Sequence, residues 1–185
     1  MSDVTLGIIG SGQLGMMLCQ AARKLKVKTV VISDDEEGPA QNYADQFIHA
    51  KYDNRKKTEE FIGKVDVVTF EFENIPFETL KRINTIKPVF PNPNVNRIVQ
   101  NRLYEKDFLN KCNIRTTNYV SVNNESDLKS SSNLIPGILK TSTLGYDGKG
   151  QYKIEDKKQL DNINIDYKNH YILEKLVNLK KEISV

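Results

Sequence analysis

Lys140 and the run Gly145-Tyr146-Asp147-Gly148-Lys149-Gly150-Gln151 hold the residue types best suited to chemistry on an anion. Glycines at 145, 148 and 150 let backbone N–H groups turn inward without a Cβ penalty, which builds a cradle for phosphate oxygens. Lys140 arrives five residues ahead of that run, on the apolar stretch 134–139, and brings a point charge to the same anion. No Gly-Lys-Ser/Thr follows at P-loop spacing, so this is not a Walker loop. The same residues are good hairpin-turn chemistry, and a plain turn between two strands is the competing local reading.

A second glycine cluster, Gly10-Ser11-Gly12-Gln13-Leu14-Gly15, sits where an apolar strand hands over to a helix, and Asp34 follows 19 residues after Gly15. That spacing matches the dinucleotide fingerprint, including the acid for a ribose hydroxyl, and keeps an NAD-dependent oxidoreductase open as a reading. Two alternatives stand beside it. The glycines serve only a tight turn and close helix packing, or the helix N-terminus takes the phosphate of some other ligand. Glu71 and Glu73 come just past the apolar stretch 65–70, at the strand end where open α/β sheets bind ligands. Glu73 also has a bland reading, as a capping acid ahead of Phe77.

The elements that must position these residues alternate strand and helix. Strands are expected at 4–9, 28–32, 46–50, 65–70 and 88–90, with helices at 13–25, 58–63 and 77–83, a rhythm that implies a parallel, doubly wound sheet. Pro91-Asn92-Pro93 breaks the pattern, so a domain boundary is expected there, with one domain over 1–92 and a second over 93–185. Stretch 94–111 reads as one or two helices. From Thr117 the texture is strand, helix, strand, glycine loop, strand, helix, strand.

Composition excludes several classes. With 185 residues, 38% hydrophobic content and a mean hydropathy of −0.51, the chain suits globular domains and has no stretch long enough to span a bilayer. The net charge of +3 comes from lysines interleaved with acids, with no basic stripe of the kind nucleic-acid binding requires. Cys19 and Cys112 lie far apart and read as buried reduced thiols of a cytoplasmic protein. His49 and His170 are isolated, and neither points to a metal site.

Taken in order, Gly-x-Gly-Gln-Leu-Gly, Glu71-Phe-Glu73-Asn, Arg102 with Lys106, Lys140, the 145–151 run, Glu174-Lys175-Leu176-Val177 and Glu182 resemble the carboxyaminoimidazole ribonucleotide synthetase family of the ATP-grasp superfamily. The resemblance implies a Rossmann-like pre-ATP-grasp domain over 1–92 and an incomplete ATP-grasp α+β domain over 93–185. It assigns Arg102, Lys140, Gly145, Tyr146, Asp147, Gly148, Lys149, Gly150, Gln151, Glu174, Lys175, Leu176, Val177 and Glu182 to ATP. In that scheme 145–151 is a lid over the phosphates that opens easily, 174–177 reads adenine through its backbone, and Glu182 accepts ribose hydroxyls. Gly12, Gln13, Leu14, Glu73 and Tyr146 fall to aminoimidazole ribonucleotide.

The implied reaction is ATP-dependent carboxylation of that ribonucleotide by bicarbonate, through carboxyphosphate, in purine biosynthesis, with ATP and Mg²⁺ as cofactors and a cytoplasmic homodimer as the full-length form. Where the family usually has Arg and Gly ahead of the lid, this chain has Ser142 and Leu144. The family's magnesium carboxylates are expected beyond Val185, which implies a chain that binds nucleotide weakly and does not turn over by itself. The remaining alternatives are a non-catalytic nucleotide-binding module and the oxidoreductase.

Overall fold

The computed structural model describes residues 4–144, 150–181 and 183, and it divides into two compact units, Met1–Arg97 and Ile98–Val185. The division falls inside a helix, α4 (Pro93–Val99). Its first part holds to the first unit, through Asn96 Nδ2 donating to the Ile75 carbonyl and the Arg97 guanidinium lying 5.5 Å from the Phe77 ring centroid.

The first unit runs β1 (Thr5–Ile9), α1 (Gln13–Lys24), β2 (Lys28–Ser33), β3 (Gln46–His49), α2 (Arg55–Ile62), β4 (Val67–Phe70), α3 (Phe77–Asn84) and β5 (Val89–Phe90). All its strands are parallel, in the order β3-β2-β1-β4-β5. Because helices cover both faces of such a sheet, its central strands read as near-continuous apolar runs. Val30, Val31 and Ile32 are buried in succession on β2, packing alternately into the two cores on either side. Each such side chain contributes about 1.5–3 kcal/mol on burial. α2 starts at Arg55, ahead of the expected Thr58, because the Asn54 side chain caps it by accepting from Lys57 N–H.

The second unit continues through α5 (Arg102–Lys111), β6 (Tyr119–Val122), α6 (Glu125–Ser130), β7 (Gly137–Thr141), β8 (Gln151–Ile154), α7 (Lys157–Asn162) and β9 (Tyr171–Lys175). The stretch after Pro93 is two helices, since Asn101 accepts from Leu103 N–H and Tyr104 N–H and so starts α5 afresh. The sheet is antiparallel, ordered β6-β9-β7-β8. Leu139, Tyr171 and Leu173 point to one face and pack with Leu128 and Leu160 of α6 and α7. Period-two alternation then commits Ile138, Lys140, Ile172 and Glu174 to the other face. Cys19 is buried as expected, but Cys112 is exposed, because it caps the C-terminus of α5, a helix with no buried residue.

Candidate functional site

In the first unit the C-terminal ends of β1, β2 and β4 meet the start of α1, and a cleft of about 340 Å³ opens among Gly10, Gly12, Ser33, Asp34, Tyr52 and Glu71. Gly10 is required at its position: its φ is +107°, and an added Cβ would stand 2.6 Å from Glu71 Oε1. Gly15 lets α1 pass close to that turn, since a Cβ there would meet the Gly10 carbonyl at 2.9 Å.

The donor that heads α1 is already engaged. Gly12 N–H donates to the Glu71 carboxylate at 2.8 Å, a charge-assisted bond at the positive end of the helix. Sequence reasoning gave the ligand role to Glu73, two residues on; Glu73 lies exposed on the loop after β4. Gln13 and Leu14 are also exposed, on the first turn of α1. Behind the turn, the buried Ser11 and Ser33 hydroxyls sit 2.8 Å apart, and the Tyr52 phenol is 3.4 Å from Ser33 Oγ. Burial pushes the Tyr52 phenol up to about 12, with the Ser33 contact working the other way. Asp34 lines the cleft at the end of β2, as the acidic residue of the fingerprint should.

In the second unit the register of β7 and β9 makes Lys140 and Glu174 diagonal neighbours on one face, and α5 brings Lys106 to them. Lys140 Nζ lies 2.9 Å from Glu174 Oε2, and Lys106 Nζ lies 3.3 Å from Glu174 Oε1. The Glu174 side chain is only 10% exposed, so both ion pairs are largely shielded from solvent. Lys106 Nζ is also 5.7 Å from the ring centroid of Tyr119, the residue opposite Glu174 on β6. Arg102 joins from the first turn of α5: its backbone N–H donates to the Ser142 carbonyl and its guanidinium to the Thr141 carbonyl, both at 2.9 Å. Arg102 and Lys140 therefore converge on the end of β7.

The glycine run connects β7 to β8 as an antiparallel hairpin, with Lys140 opposite Gln151 and Thr141 N–H donating to the Gly150 carbonyl. Gly145, Tyr146, Asp147, Gly148, Lys149 and Glu182 lie outside the described residues, and with them most of the lid expected over 145–151. Gly150 has φ +69°, the left-handed conformation that favours glycine. At the adenine segment, Lys175 N–H donates to the Asn118 carbonyl and Leu176 N–H to the Pro136 carbonyl. Those two N–H groups extend the pairing of β9, the strand between β6 and β7, and the Lys175 carbonyl already accepts from Thr117 Oγ1 at 2.7 Å, which narrows any backbone reading of a base to the remaining carbonyl lone pairs and Val177. Sequence order alone named Lys106 without giving it a role; its pairing with Glu174 had no local signal.

A parallel unit with a glycine turn, followed by an antiparallel unit whose glycine hairpin adjoins paired lysines, is the architecture of a pre-ATP-grasp domain leading into an ATP-grasp domain. Residues 3–100 match the family model of the ribonucleotide synthetase preATP-grasp domain, and residues 107–185 match that of the ATP-grasp domain. The chain belongs to the ribonucleotide synthetase preATP-grasp family and continues into an ATP-grasp domain. Among its relatives is the N5-carboxyaminoimidazole ribonucleotide synthase of Staphylococcus aureus strain COL, 36% identical over 184 residues, or 98% of this chain and 49% of the relative. The chain thus spans about half the length of the curated relatives it matches. A crystal structure of the Staphylococcus aureus synthetase complexed with ADP superposes with a TM-score of 0.87 at 34% identity, covering 96% of this chain and 48% of that one. The Thermus thermophilus synthetase gives a TM-score of 0.86 at 25% identity, covering 95% of this chain and 48% of its own.

Proposed function

We propose that this chain serves the ATP-dependent carboxylation of 5-aminoimidazole ribonucleotide by bicarbonate, a step of purine biosynthesis. The observation that carries the reading is the Lys140–Glu174–Lys106 cluster at the foot of the glycine hairpin, in a chain whose relative was crystallised with ADP. In this reading bicarbonate attacks the γ-phosphorus of ATP and ADP leaves, forming carboxyphosphate. The amine of the ribonucleotide then attacks the carboxyl carbon, inorganic phosphate leaves, and the nitrogen sheds a proton. Lys140 and Arg102 offset charge on the phosphates, where positioning and electrostatics supply most of the catalysis. Among the described residues no group of three or more His, Cys, Asp or Glu side chains is placed to hold a metal ion.

The acidic lining of the first unit's cleft, Asp34 with Glu71, suits the hydroxyls and amine of a ribonucleotide better than its phosphate. With Gly12 N–H held by Glu71, the phosphate contact falls to the N–H groups of Gln13 and Leu14, at the positive end of α1. Thermal unfolding with ADP, aminoimidazole ribonucleotide and NAD⁺ in parallel tests the reading. A ligand at 100 times its Kd stabilises by about 2.7 kcal/mol, so the first two are expected to raise the midpoint by several degrees. Stabilisation by NAD⁺ alone would favour the oxidoreductase and overturn the proposal.

A further inference from the structure

The geometry points to Lys106 as a positioning residue for Lys140, acting through the carboxylate they share; this rests on the functional reading above. Glu174 offers two oxygens, and each is taken by a different ammonium, Lys140 on Oε2 and Lys106 on Oε1. The side chains are only 16% exposed for Lys106 and 21% for Lys140, so water screens the trio weakly. Two ammoniums against one carboxylate leave the cluster with one unit of positive charge.

That remainder matters for a polyphosphate. Lys140 and Glu174 alone form a closed, neutral pair, and a neutral pair offers an incoming phosphate no net attraction. Both Glu174 oxygens would then converge on Lys140, and turning its ammonium toward a ligand would strand a buried carboxylate, a costly arrangement. With Lys106 in place, Glu174 keeps a partner at the moment Lys140 turns to the phosphate. Lys106 has the support this task needs: α5 holds it, and the Tyr119 ring, fixed by its hydroxyl donating to Asp107 Oδ1 at 2.7 Å, lies beneath it. The role differs from a direct phosphate contact. It predicts that the loss of Lys106 is repaired by removing the Glu174 charge.

The test measures ADP and adenosine binding to the 185-residue chain by calorimetry for the wild type, Lys106→Met, Lys106→Arg, Glu174→Gln and the Lys106→Met/Glu174→Gln double variant. Lys106→Met is expected to weaken ADP about 10- to 30-fold, the effect of one charge removed at this range in a partly shielded site. Adenosine, which has no phosphate, should change less than about twofold on the same reasoning. Lys106→Arg should stay near wild type, and the double variant, which restores the net charge, should recover to within about threefold. A merely structural Lys106 would lower adenosine and ADP binding alike, and the double variant would not recover; either result overturns the inference. If the wild type binds neither ADP nor adenosine, the functional reading falls and takes this inference with it. If it binds ADP and Lys106→Met binds equally well, only the inference falls.

Discussion

Glu71→Ala removes the acceptor that closes the first turn of α1, and the structure sets the size of the effect. The bond from Gly12 N–H to Glu71 Oε1 is 2.8 Å long, and the carboxylate is half-buried against Gly10 and Gly12. A hydrogen bond to a charged group contributes about 1.5–3 kcal/mol net, and a carboxylate at a helix N-terminus about 0.3–1 kcal/mol. Gly12 is itself partly exposed, so water replaces some of the lost bond and the lower part of the range applies. The expected cost is about 1–2 kcal/mol. For a domain of roughly 100 residues each kcal/mol shifts the midpoint by about 4–8 °C, so the thermal midpoint followed by circular dichroism should fall by roughly 4–16 °C. Glu71→Gln keeps a neutral acceptor and should lose about half as much, because charge-assisted bonds are about twice as strong as neutral ones. An unchanged midpoint in Glu71→Ala, or a loss in Glu71→Gln as large as in the alanine variant, would refute the argument from a charged acceptor.

Tyr52 supplies a pH-dependent companion. Its phenol stands at about 12 in the folded state against an ordinary value of about 10, so the native state holds its proton longer. Stability from this group is complete below pH 10 and is lost as pH rises toward 12. Burial also raises the Tyr119 and Tyr167 phenols, so ultraviolet titration of tyrosinate should show a late-ionising fraction that shrinks by one phenol in Tyr52→Phe; an unchanged titration curve would contradict the burial argument. Gly10→Ala forces a side chain into φ +107° and against Glu71, and should destabilise by about 1–3 kcal/mol, read by urea unfolding at constant slope.

The parallel sheet of the first unit was legible in the chain because its signals are local. Apolar runs such as Val30-Val31-Ile32 and the strand-to-helix change at Gly10–Gly15 need no knowledge of distant residues. The glycine hairpin and Lys140 were legible for the same reason, since turn chemistry and a lysine on the preceding strand lie within a dozen residues. Which acid closes the α1 turn was not legible. Glu71 and Glu73 both follow β4, and the choice depends on β4 pairing with β1, which delivers the residue directly after Phe70 to the α1 N-terminus. Lys106 is the sharper case. Its partner Glu174 is far along the chain, and the two meet only because β7 and β9 pair in one register and α5 brings Lys106 to the face that carries Lys140 and Glu174. Alternation told which residues share a face within one strand, but no periodicity encodes which strand comes next to which, or where a helix lands upon them. Those decisions come from burying Leu139, Tyr171 and Leu173 together on the opposite face, so the charged cluster is placed by the packing of the core behind it.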